Sequence, residues 1–113
     1  MKVENVVVLA GSLVLALGVG LAYAAPDASK AEAQIETNKC NKCHAPAKSK
    51  TGPSWKKIAA KYKDKPDAEE SIVKQITTGP KVKLDDGTEE EHKIIKTKDP
   101  EELKNLAQWI LSH

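Results

Sequence analysis

The residue types able to do chemistry are concentrated in Cys40-Asn41-Lys42-Cys43-His44, which holds both cysteines of the chain. Two thiols three positions apart, followed at once by an imidazole, make the C-x-x-C-H arrangement of a haem c attachment site. Thiols at that spacing reach both vinyl groups of one porphyrin and form two thioethers. His44 is then carried beneath the ring, where its imidazole can bind the iron as proximal ligand. A redox disulfide between Cys40 and Cys43 would call for a strand-rich thioredoxin pattern around them, and none is present. A zinc site needs four donors, and there is no second ligand pair to complete it. The expected cofactor is therefore one haem c, covalently bound through Cys40 and Cys43.

Composition makes a large apolar cofactor useful. Residues 1–24 read as a secretory signal peptide: Lys2 near the start, an apolar run from Val6 to Leu21, then Ala22-Tyr23-Ala24 as the cleavage site. An uncleaved anchor is the rival reading, because that run falls only about two residues short of the ~18 usual for a spanning helix. The remaining domain, residues 25–113, has no Phe, no Met and two Trp. So small a domain buries only ~60–65% of its unfolded surface and needs help to hold a core.

Charge is unevenly spread. Nine lysines lie between Lys39 and Lys65 against one acid, Asp64, while acids outnumber lysines from Glu69 onward. A one-sided cluster beside the reactive motif fits a docking field for acidic redox partner proteins at a lysine-rich haem edge. Nucleic acid is not an expected partner, since the chain has no arginine to read base edges and carries an export signal. A membrane is expected only if the N-terminal segment is retained.

The elements that must position the motif read as helices. Asp99-Pro100-Glu101-Glu102 is a helix start, and Leu103, Leu106, Ala107 and Ile110 then recur at helical spacing. Pro66 to Glu70 opens another helix, with Ile72, Val73 and Ile76 as its apolar stripe and a stop near Gly79-Pro80. Ser54 caps a shorter helix ending at Tyr62, and Asp27 to Asn38 forms the first. No run alternates as a strand, so the expected class is all-α.

With these pieces in place, residues 25–113 resemble the small, single-haem, bacterial class I cytochromes c. Ile35, five residues before Cys40, matches an apolar core position of that family's first helix. Thr51-Gly52-Pro53 follows the attachment site by the usual short loop, and Leu106 to Leu111 looks like the family's last helix. The resemblance implies a cytochrome c fold of four or so short helices wrapped around one haem. It further implies that the Pro53 carbonyl receives the ring N–H of His44, which orients the ligand and tunes the iron. By the same resemblance, Trp55 lines the haem edge near a propionate.

One departure matters. Most members of the family use a methionine as second axial ligand, but the single methionine here is Met1. Counted back from Trp109, the family's methionine position falls at 92 or 93. The resemblance thus points to His92 as the distal ligand, giving an iron held by His44 and His92. Lys93 could ligate only after losing a proton against a pKa near ~10.4. His113, at the end of the last helix, is expected to be solvated. Imidazole in place of methionine lowers the reduction potential. The acidic stretch Asp85 to Glu91 would reinforce that, while its spacing fails the pattern of a calcium loop. The expected function is a periplasmic one-electron carrier that is not an enzyme. The rival classes are a gas-binding or gas-sensing haem protein with a weak or open sixth position, and a haem subunit of a larger oxidoreductase.

Overall fold

A computed structural model describes Gly11 and residues 25–113; the expected signal segment, residues 1–24, otherwise lies outside the described residues. Four helices follow one another: α1 (Ala28–Thr37), α2 (Trp55–Tyr62), α3 (Ala68–Thr78) and α4 (Pro100–Leu111). Between α3 and α4 lies an antiparallel hairpin of β1 (Lys81–Lys83) and β2 (Glu89–Glu91). Among the described residues, no helix is long and apolar enough to cross a membrane.

Local sequence accounts for the helix boundaries. The Asp27 carboxylate accepts the Lys30 N–H at 3.1 Å, the Ser54 hydroxyl accepts the Lys57 N–H at 3.1 Å, and Asp99 accepts from Glu101 at 2.9 Å. Each cap satisfies an N–H that the first turn leaves without a partner. Pro100 starts α4, where its missing N–H costs nothing. Gly79 ends α3 in the left-handed conformation, φ +59°.

The core is built around α4, which packs against α1, α2 and α3. Its buried face (Leu103, Leu106, Ala107 and Ile110) meets Ala31 and Ile35 of α1, Trp55 of α2 and Ile72 and Ile76 of α3. Ile95, in the loop after the hairpin, is also buried.

The hairpin lies in the loop between Gly79 and Asp99, where the sequence shows no strand alternation. Its strands are three residues each, too short to show alternation, and nearly every side chain on them is exposed. The register sets Lys81 opposite Glu91 and Lys83 opposite Glu89, so opposite charges face each other across the ladder. Asp86-Gly87 makes the turn, with Gly87 at φ +85° and the Asp86 carboxylate accepting the Thr88 N–H at 2.9 Å.

Candidate haem-binding site

The attachment motif begins where α1 ends. Lys39 takes a left-handed conformation (φ +56°) and turns the chain into a short 3₁₀ turn, Cys40–Lys42. That turn sets Cys40 and Cys43 on one wall of a cavity of about 790 Å³, within the ~300–1,000 Å³ typical of cofactor sites. Both cysteines are free thiols. Burial pushes the Cys40 thiol up, partly opposed by the charge of Lys93.

The loop after the motif folds back on it. Gly52 N–H donates to the Cys43 carbonyl at 2.9 Å, and Trp55 N–H donates to the Ala45 carbonyl at 2.9 Å. These bonds bring the Pro53 carbonyl oxygen within 2.6 Å of His44 Nδ1. A carbonyl can only accept, so the ring proton sits on Nδ1 and Nε2 keeps its lone pair. Burial lowers the pKa of His44, the bond to Pro53 opposing and His92 adding to the shift. The imidazole is therefore neutral at neutral pH, the form that binds a metal. Gly52 backs the ring closely: a β-carbon there would stand 2.9 Å from His44 Cε1.

His92 lines the same cavity. Its Nδ1–H donates to the Lys93 carbonyl at 2.9 Å, which again leaves Nε2 as the free nitrogen. The ring centroids of His44 and His92 are 6.2 Å apart, with 41° between planes. Two backbone bonds hold this segment in place: His92 N–H to the Pro80 carbonyl, and Ile95 N–H to the Ile76 carbonyl, each 2.9 Å.

Several apolar residues complete the walls, among them Ile35, Ile76, Val82 and Ile110. Among the described residues, no group of three or more His, Cys, Asp or Glu could hold a metal by itself. Two thiols on one wall, two imidazoles whose Nε2 atoms are left free by their backbone bonds and an apolar lining fit an iron that arrives within a porphyrin. The family described as Cytochrome c matches residues 28–113.

The chain belongs to the cytochrome c family. Its fold is similar to the class 1 cytochrome MtoD of Sideroxydans lithotrophicus ES-1, with 49% identity and a TM-score of 0.75; the match covers 78% of this chain and 97% of that one. Cytochrome c552 of Nitrosomonas europaea is 31% identical with a TM-score of 0.56, over 76% of this chain and 98% of its own. Among curated proteins none matches significantly. This cytochrome c is accordingly a haem electron carrier, with one haem c bound covalently through Cys40 and Cys43.

Of the residues singled out in the sequence, the cytochrome brings Cys40, Cys43, His44, Pro53, Trp55 and His92 to one cavity. Trp55 is buried and stacked on the His44 ring, at 4.6 Å and 29°. His113 is exposed and lies outside the cavity. Sequence reasoning missed Asn38, which is fully buried. Its amide donates to the Gln34 carbonyl at 2.8 Å and its oxygen accepts the Lys96 N–H at 3.0 Å, so it ties α1 to the segment carrying His92.

Proposed function

We propose that this cytochrome is a periplasmic one-electron carrier whose iron is held between His44 and His92, at a potential below that of methionine-ligated relatives. The observation that carries the reading is the pairing of the two imidazoles across the cavity. Two metal–imidazole bonds of about 2.0 Å in line would put the two nitrogens about 4 Å apart and the ring centres about 6 Å apart. The 6.2 Å separation of His44 and His92 agrees with that. Each ring also spends its Nδ1 proton on a backbone carbonyl, the outer bond that fixes a metal-ligating histidine.

When bound, the haem supplies the one-electron couple, and the chain's own residues set its terms. His44 and His92 would hold the iron through the ring nitrogens that their backbone hydrogen bonds leave free, and would leave no position open to small ligands. Imidazole in place of methionine favours the ferric state. Leu106 and Ile110 of the α4 stripe, with Ile35, Ile76 and Val82, would give the porphyrin an apolar wall. Lys39, Lys42, Lys57 and Lys61 line its rim and would speed the approach of an acidic partner without holding it long. Class I cytochromes c are typically exported proteins, and the apolar Val6 to Leu21 run followed by Ala22-Tyr23-Ala24 supports the periplasm.

The test is low-temperature electron paramagnetic resonance of the oxidised holoprotein. A low-spin signal typical of two imidazoles, lost in His92→Ala, is the expected result. A high-spin signal in the unmodified protein, with ready carbon monoxide binding after reduction, would overturn it in favour of gas binding.

A further inference from the structure

Three aromatic contacts run in series from the haem site to the surface. The His44 ring is stacked on Trp55, 4.6 Å between centroids. Trp55 meets Trp109 edge to face at 5.8 Å, and Trp109 meets His113 edge to face at 4.4 Å. Both tryptophans of the chain stand in this line.

Core packing accounts for Trp55, which is buried, and for Trp109, which is half-buried against the core. It does not account for His113. That residue is exposed, yet its ring is fixed: Nδ1–H donates to the Trp109 carbonyl at 3.0 Å, leaving Nε2 free. Neither Trp109 nor His113 lines the cavity, whose rim carries Lys39, Lys42, Lys57 and Lys61.

We propose that His44, Trp55, Trp109 and His113 form a second electron port, through which the iron exchanges one electron with a redox protein docked at the end of α4. Outward transfer oxidises Fe(II) to Fe(III) and reduces the partner's one-electron centre. The rings act as a contiguous π bridge, are not themselves oxidised or reduced, and no proton moves. With one port a donor and an acceptor must take turns. A second port lets both stay docked while the electron passes between them. The inference rests on the carrier reading above, but not on the identity of the distal ligand.

A ruthenium ammine bound to His113 Nε2 of the purified holoprotein reads the path directly. Flash photoreduction of the label starts the transfer, and haem absorbance times the electron's arrival. Trp109→Leu is expected to slow it several-fold. Trp109→Phe keeps a ring against both neighbours and should stay near the parent rate, with haem spectrum and potential unchanged in both. Trp109→Met serves in place of the Leu variant if that one does not fold. An aliphatic variant that matches the parent rate overturns the port. Peptide mapping of the label separates this inference from the ligation proposal. Ruthenium found on His92 as well would mean that His92 is not bound to iron, and the His113 rate would still decide the port.

Discussion

Gly79 and His92 are packed backbone to backbone: a β-carbon at Gly79 would come within 2.6 Å of the His92 carbonyl oxygen. The same glycine holds φ +59°, where a side chain is strained whatever the space. Gly79 therefore does two jobs at one position. It ends α3, and it lets the chain that returns from the hairpin lie close enough for His92 to enter the cavity. Relief is not available from a flexible side chain, because the atom in the way is backbone.

Gly79→Ala is accordingly expected to act on both stability and ligation. The left-handed conformation alone costs a non-glycine residue roughly 1–2 kcal/mol, and displacement of the 92–94 segment adds to it. Thermal unfolding of the holoprotein should show the loss. Its electron paramagnetic resonance spectrum should gain a high-spin fraction as His92 is moved outward. Lost stability with an unchanged low-spin spectrum would mean that Gly79 serves the helix end and not the distal loop.

Asn38 carries a comparable weight from the other side. It is fully buried, and it receives the Lys96 N–H while donating to Gln34. Asn38→Ala leaves the Lys96 N–H without a partner, and such an orphan costs about 1–3 kcal/mol. Urea unfolding should show a lower midpoint at unchanged slope. Because Asn38 precedes Cys40 by two residues, thioether attachment during maturation should fall with it; a yield equal to the parent's would limit its role to stability.

The fold and the proximal half of the site could be read from the sequence because their determinants are local. Asp27, Ser54 and Asp99 announce helix starts within one turn, and the attachment motif is five consecutive residues. What escaped was set at a distance. Asn38 reads as an ordinary helix-end residue until Lys96, 58 positions on, is brought to it. The hairpin escaped for a different reason: its six strand residues are nearly all charged, and only the Asp86-Gly87 turn between them carried a signal. His92 stands in that same charged stretch. Only the absence of a distal methionine drew attention to it.

The hairpin turn supplies a pH-dependent prediction. Hydrogen bonds from the Thr88 hydroxyl, at 2.6 Å, and the Thr88 N–H hold the Asp86 carboxyl below its ordinary pKa. A carboxyl lowered in the folded state stabilises it above the unfolded pKa, and that contribution is lost as pH falls through the lower folded value. Thr88→Val removes the larger of the two bonds. Carboxyl NMR should then show the Asp86 pKa moving back toward the usual aspartate range. A value that does not move would assign the shift to the backbone bond alone.

Lys42, Lys48 and Lys50 flank the attachment motif on the lysine-rich side, and all are free of acidic neighbours in sequence. Changing the three to Glu should slow reduction by an acidic partner, with the largest effect at low ionic strength, where the Debye length is longest. Stopped-flow rates across a salt series measure this. Rates and salt dependence equal to the parent's would remove the docking role from this side of the molecule.

Charge also acts on the iron from the hairpin. Asp85, Glu90 and Glu91 line the cavity, whereas Asp86 lies at the turn and is fully exposed. Negative charge near the iron favours the ferric state, so neutralising it should raise the reduction potential. The effect should be unequal, because Glu90 and Glu91, though exposed, line the cavity and Asp86 does not, so more screening water and salt separates Asp86 from the site. Glu90→Gln and Glu91→Gln together are therefore expected to raise the potential more than Asp86→Asn does, and the difference should shrink as salt is added. Spectroelectrochemical titration of the three proteins settles the point: equal potentials in all of them would show that the hairpin's charge does not set the potential.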